Sequence, residues 1–299
     1  MSDAQPSVIS CGFVALIGAP NAGKSTLLNR LLGQKIAIVT PKPQTTRNRI
    51  LGVVNHRDYQ MVLLDTPGLH RAKNRLNSEM VRLARNAAGE VDVVAYLVDV
   101  SSETEAEQRR HAQKLLREAG KPALLLGNKI DRIGKEKLLP LIAAWQEVYP
   151  FQAIIPLSAL TGEGCQLFLT EASRLLPTGP RLFPEDIPTD ASERFICGEI
   201  IREKIMLLTR DELPYSVAVV IDQFLEKPGM TTIQATIMVE KDSQKGIVIG
   251  KKGVMLQQIG ERARREIETM LGQKVLLKLW VKVQKNWTGN RRILQELGF

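Results

Sequence analysis

The octet Gly18-Ala19-Pro20-Asn21-Ala22-Gly23-Lys24-Ser25 follows directly on the apolar run Phe13–Ile17 and opens a helical stretch over residues 24–33. A G-x-x-x-x-G-K-[ST] sequence between a strand and a helix makes a tight loop. Its backbone N–H groups converge, with the positive end of the helix behind them. Such a loop receives the phosphates of a nucleotide. Lys24 is expected on the β- and γ-phosphates and Ser25 on Mg²⁺, with Thr26 beside them in the first helical turn. A chance glycine-rich turn is the bland alternative, and the strand and helix on either side argue against it.

Further strand-like runs lie at Gln60–Leu64, Val93–Val98, Ala123–Leu126 and Ala153–Leu157, and helix-like stretches follow near 75–88, 104–118, 135–147 and 165–176. Alternation at this spacing predicts an α/β domain, a mostly parallel sheet with helices on both faces. Ile50–Asn55 and Tyr59–Leu64, separated by a short polar turn, predict one antiparallel edge strand.

Two more motifs sit at strand ends. Asp65-Thr66-Pro67-Gly68 closes the second of these runs. A carboxylate there can hold Mg²⁺ through water, and the Gly68 N–H can sense a γ-phosphate. Asn128-Lys129-Ile130-Asp131 follows Ala123–Leu126. The Asp131 carboxylate can accept from both the ring N–H and the exocyclic amine of guanine, a pair that adenine lacks. A buried carboxylate left unpaired is costly, so this element selects GTP and GDP and speaks against an ATPase or a metabolic kinase. The stem of Lys129 would cover the base, and Ser158-Ala159-Leu160 is placed to offer a backbone N–H to the guanine oxygen.

Taken with Pro20-Asn21 in the loop and Gln44-Thr45-Thr46-Arg47 between the motifs, the order of these elements resembles the Era family of bacterial GTPases. By position, the resemblance implies that Thr46 is the switch threonine on Mg²⁺, with Thr45 beside it as the alternative. One departure from better-known small GTPases affects catalysis. Leu69 stands where those enzymes carry a water-orienting glutamine, so slow intrinsic hydrolysis is expected. The resemblance suggests a K⁺ held by Asn21 and switch-loop carbonyls as a substitute. His70 is read as a solvated loop residue rather than a base.

Residues 177–190 carry four prolines and read as a linker. Beyond it the pattern changes to a helix at Arg194–Leu208, strands at Val217–Phe224 and Thr231–Val239, helices at Ser243–Ile249 and Val254–Leu271, and a strand at Val275–Val283. Between the last two helices lies Gly250-Lys251-Lys252-Gly253, with Ile247 and Ile249 before it and Arg262, Arg264 and Arg265 after it. A G-x-x-G turn with lysines lets backbone and charge close on a single strand, as KH domains do. The element order matches the type II arrangement. The expected domains are therefore a GTPase domain at 10–176, the linker at 177–190, an α+β type II KH domain at 191–285 and a tail at 286–299.

Charge agrees with a polyanionic partner. Residues 181–240 hold 6 basic and 11 acidic side chains, whereas 241–299 hold 13 basic and 5 acidic ones. Residues 34–85 are also basic, with 10 against 3. The three scattered cysteines suggest neither disulfides nor a zinc site. With no apolar run near the roughly 18 residues of a membrane span, the chain is expected to be a cytoplasmic monomer. The basic surface leaves room for peripheral contact with the inner membrane. The resemblance implies a GTP-hydrolysing switch that binds the 3′ end of small-subunit rRNA and acts in 30S assembly. The competing reading is an RNA-binding adaptor that holds GTP with little turnover.

Overall fold

The computed structural model describes residues 8–69, 75–102, 106–209 and 216–297, which leaves His70 outside the described residues. The chain divides into two compact units, one running to Asp190 and one from Ala191 onward. Residues 38–45 group with the second unit rather than with their sequence neighbours.

The first unit contains β1 (Ile9–Gly18), α1 (Lys24–Leu32), β2 (Ile50–Asn55), β3 (Tyr59–Asp65), α2 (Arg75–Glu90) and β4 (Val93–Asp99). It continues with α3 (Ala106–Ala119), β5 (Ala123–Asn128), α4 (Leu138–Gln146), β6 (Ala153–Leu157), α5 (Cys165–Ser173) and the short β7 (Thr178–Gly179). The strands run in the order β2-β3-β1-β4-β5-β6, and only β2–β3 along that path is antiparallel. β4 and β5 are buried on both faces, which is why they read as unbroken apolar runs rather than alternating ones. On one face Tyr96 packs against Trp145 of α4, with ring centroids 5.7 Å apart.

The second unit contains α6 (Glu193–Leu208), β8 (Ala218–Lys227), β9 (Met230–Val239), α7 (Asp242–Ile249), α8 (Val254–Leu271), β10 (Lys274–Val283) and α9 (Arg291–Glu296). Its sheet has the order β10-β9-β8, with β9 and β10 parallel. A parallel pair needs a crossover, and α7 and α8 supply it. α8 turns Ile259, Ala263 and Ile267 into the core at four-residue spacing. Trp287, in the segment expected as a tail, is fully buried, and its indole N–H donates to the Ser216 carbonyl at 2.9 Å. That segment is therefore part of the unit's packing.

The proline-rich segment 177–190 is fastened to the first unit. β7 pairs antiparallel with Ile9 and Ser10, and the Pro188 carbonyl accepts from Val53 N at 2.8 Å. Prolines keep the chain extended, and the side chain of Gln60 meets its remaining polar groups. Gln60 is fully buried. Its Oε1 accepts from the Leu182 and Phe183 amides at 2.7 and 2.9 Å, and its Nε2 donates to the Phe183 carbonyl at 2.8 Å. Gln60→Leu strands these groups and is expected to cost about 2–3 kcal/mol in urea unfolding, with faster proteolysis within 181–189.

Candidate nucleotide site and glycine turn

All the nucleotide motifs leave the carboxyl ends of parallel strands, where open α/β sheets place ligands. The register makes this so: Leu16 stands opposite Asp65 across β1–β3, and Asn128 opposite Asp99 and Leu157 on either side of β5. Gly18 ends β1, Asn21 adopts a left-handed φ of 61°, and Gly23 precedes α1 at φ 100° with no side-chain cap. The first N–H groups of the helix are thus left to a ligand. Gly68 is required by close approach, since a Cβ there would lie 2.7 Å from the Pro20 backbone.

Lys24, at the head of α1, is buried, and its Nζ donates to the carbonyls of Gly18 and Ala19 at 3.3 and 3.0 Å. Burial lowers its pKa to about 8, against the raising influence of Asp65. Asp65 is likewise buried. Desolvation lifts it to about 6, opposed by Lys24, Ser25, Thr46 and the Thr66 backbone. Asp65 Oδ2 accepts from Ser25 Oγ at 2.5 Å and from Thr46 Oγ1 at 3.3 Å, and the two hydroxyls are 2.7 Å apart. Asp65 Oδ1 is buried without a partner. Three hard oxygen donors with one orphaned carboxylate oxygen are the donor set that Mg²⁺ takes.

Of the two threonines, it is Thr46 that joins this cluster. Thr45 Oγ1 instead bonds Thr40 Oγ1 at 2.7 Å and the Lys42 carbonyl at 2.7 Å. Thr66 also faces inward and donates to the Leu16 carbonyl at 2.9 Å, which fixes β3 to β1. Thr26 is half-buried in the first turn of α1.

Asn128 is a brace rather than an open contact. Its Nδ2 donates to the Ala22 carbonyl at 2.7 Å, and its Oδ1 accepts from the Lys129 and Ala159 amides at 2.8 and 2.9 Å. One side chain thereby joins the phosphate loop to both base-side loops. Ser158 Oγ donates to Asp131 Oδ1 at 2.6 Å and aims that carboxylate. Lys129 is anchored through Nζ on Asp99, 2.5 Å away, which stretches its stem. Sequence reasoning missed Arg30, which donates from Nε to the Ala159 carbonyl at 3.3 Å and from a terminal nitrogen to that of exposed Leu160. It missed Asn29 as well, whose Oδ1 accepts from the Ile36 and Ala37 amides at 3.0 Å. Nothing in their helical spacing marks either one.

In the second unit, Gly250 and Gly253 take φ of 71° and 81°, and a Cβ on Gly250 would meet Met255 Cβ at 2.6 Å. Lys252 adopts φ 53° between them, and both turn lysines are exposed. Ile247 is 50% exposed, whereas Ile249 is half-buried on another side of α7. Successive helical residues are about 100° apart, so Arg262 and Arg264 flank buried Ala263 on opposite sides, whereas Arg265, three residues on from Arg262, shares its side and pairs with Glu261 at 2.5 Å.

The family model of a 50S ribosome-binding GTPase matches residues 13–129, and that of a KH domain matches residues 212–288. The GTPase Era of Geotalea uraniireducens is 54% identical over 289 residues, covering 96% of this chain and 97% of the relative. This chain belongs to the Era family of GTPases. It is a GTPase carrying a KH domain. A solved variant of Aquifex aeolicus Era bound to GDP and AlF4⁻ is 40% identical with a TM-score of 0.94, over 97% of this chain and 99% of that one. An Era structure with MgGDPNP and nucleotides 1506–1542 of 16S ribosomal RNA matches equally, with the same identity, coverage and TM-score of 0.94.

In this Era-family chain Asn128→Ala is expected to lower GTP and GDP affinity alike, by about two orders of magnitude for three lost bonds at about 1 kcal/mol each. Titration calorimetry reads both; a loss confined to GTP would contradict a bracing role.

Proposed function

We propose that the chain is a GTP-driven switch that binds single-stranded rRNA at the 3′ end of the small-subunit RNA and acts in 30S assembly. What carries this reading is the likeness over nearly the whole chain to an Era structure holding both MgGDPNP and a 16S rRNA fragment. In this reading Gly18–Ser25 cradle the phosphates with Thr26 behind them, and Lys24 neutralises charge on the outer two. Ser25 and Thr46 hold Mg²⁺ directly and Asp65 holds it through water. Gly68 N–H reports the γ-phosphate and Asp131 reads guanine, with the 158–160 loop, whose Ala159 N–H is held by Asn128 Oδ1, lying beside the base. Bound Mg²⁺ supplies charge neutralisation on the phosphate oxygens. Desolvation disfavours the charged forms of both Lys24 and Asp65, and a phosphate beside the one and Mg²⁺ near the other would offset it.

For RNA, Gly250–Gly253 give close backbone approach, Lys251 and Lys252 the charge, and Ile247 an exposed apolar surface for a base. Arg262 and Arg264 would serve different stretches of the strand. We infer a cytoplasmic monomer. The basic segments that support peripheral contact with anionic lipid are the same ones an RNA would use.

The test is fluorescence anisotropy with an oligonucleotide of the rRNA 3′ end. The double variant Lys251→Glu/Lys252→Glu should lose about tenfold or more in affinity and lower the salt slope by about 2. An unchanged affinity would sink the RNA assignment.

The catalytic reading has its own test. Leu69 donates its amide to the Gly18 carbonyl at 3.0 Å and packs its side chain against the core of the first unit, so it cannot orient water. A K⁺ held at Asn21 is the proposed substitute for part of the missing charge stabilisation. Turnover in KCl should exceed turnover in NaCl at matched ionic strength by about tenfold or more. Equal rates would remove K⁺ from the site.

A further inference from the structure

Residues 38–45 contain Pro41 and Pro43, which have no N–H to give to a sheet or helix. The segment is instead held by side chains. Its interior closes on itself: Thr40 Oγ1 bonds Thr45 Oγ1 at 2.7 Å and accepts from Lys42 N at 3.1 Å. Its two ends are held from consecutive residues of α6. Glu203 Oε1 accepts from Val39 N at 2.9 Å, and a terminal nitrogen of Arg202 donates to the Thr45 carbonyl. Lys42 Nζ donates to the Thr209 carbonyl just past the end of the same helix.

Arg202, Glu203 and Lys204 are all buried, unusual for three charged residues in a row. A structural ion cluster needs only mutual pairing, and part of this one is that. Arg202 Nε and a terminal nitrogen take the two oxygens of Glu199 at 2.7 and 2.6 Å, and Lys204 bridges Glu203 and Glu266 of α8. Two of the cluster's strong groups nevertheless go to backbone atoms of a segment that lies about 160 residues away in sequence. The guanidinium reaches both Glu199 oxygens and the Thr45 carbonyl from its Nε and one terminal nitrogen, donors fixed in one plane.

We propose that Arg202 is a positioning residue for GTP hydrolysis: it fixes the Thr45 carbonyl, and so the peptide that carries Thr46 to Ser25 and Asp65. The proposal rests on the reading that the Thr46 hydroxyl serves Mg²⁺ in the GTP state. The Thr45 carbonyl belongs to the peptide that leads into Thr46, so a shift of that carbonyl moves the backbone from which Thr46 Oγ1 lies 2.7 Å from Ser25 Oγ. Arg202 touches neither nucleotide nor metal. GDP, which makes no demand on a γ-phosphate shell, should be indifferent to it.

The test uses the full chain as wild type, Arg202→Lys, Arg202→Met and Thr46→Ala, each checked for a cooperative thermal transition. GDP and GDPNP affinities and steady-state turnover are measured in Mg²⁺. Arg202→Lys keeps the charge against Glu199, so it remains informative if Arg202→Met fails to fold. The expected result for Arg202→Lys is a fall of about tenfold in both kcat and GDPNP affinity, with GDP affinity unchanged within about twofold. Arg202→Lys combined with Thr46→Ala should be no worse than Thr46→Ala alone. Wild-type kcat in folded Arg202→Lys, or equal losses of GDP and GDPNP affinity, overturns the proposal. If Thr46→Ala is impaired while Arg202→Lys is not, only this inference fails. If Thr46→Ala behaves as wild type, the Thr46 reading fails and takes this inference with it.

Discussion

The burial of Lys24 and Asp65 in one pocket is the constraint on which the first unit turns. Each is fully enclosed, and for each the loss of water outweighs the attraction of the other. Opposite charges buried this way contribute little to stability, because desolvation rivals the Coulombic gain. The pocket becomes favourable when an anion reaches Lys24 and a cation reaches Asp65. The fold makes this arrangement by simple means. β1 and β3 are parallel neighbours in a register that sets Asp65 beside Leu16, and the loop after Gly18 returns the chain to Lys24.

A pocket built from loop ends needs bracing, and single buried side chains provide it. Asn128 joins three loops through three bonds, Thr66 ties the end of β3 to β1, and Asn29 holds the chain where it leaves α1. Each is short and polar, and both side-chain heteroatoms of Asn128 and Asn29 are bonded. That is the condition under which a buried polar network rigidifies a site instead of weakening it.

The sequence made the sheet and its motifs legible because strand periodicity and glycine-dependent loops are local properties. The phosphate loop, the edge hairpin and the glycine turn of the second unit needed only neighbours in the chain. What stayed hidden depended on distant partners. Asn128 reads as a base-recognition residue in a motif, yet its bonds go to residues 22 and 159, which only the fold brings to it. Residues 177–190 read as a linker because prolines forbid regular structure, but Gln60 gives those extended atoms partners that composition does not reveal. Arg262, Arg264 and Arg265 look like one cluster in sequence, but Arg264 stands across buried Ala263 from Arg262. Which of Thr45 and Thr46 faces Asp65 is likewise invisible in the sequence, and in the fold it is Thr46.

The assignment of residues 38–45 to the second unit bears on how such a GTPase is regulated. With Leu69 packed against the core, the residue directly after Gly68 orients no water, and the rate depends more heavily on the elements around the γ-phosphate. Thr46 is one of these. Its immediate predecessor is held by a helix that also packs on α8, the helix that opens at Gly253 of the RNA-type turn. On the proposed role of Arg202, a change in the α6 cluster would reach Thr46 through the Thr45 peptide. A charge cluster whose members hold one another by 2.6 Å pairs is suited to this, because removing one contact leaves a buried charge exposed to a large penalty and so favours discrete over graded states.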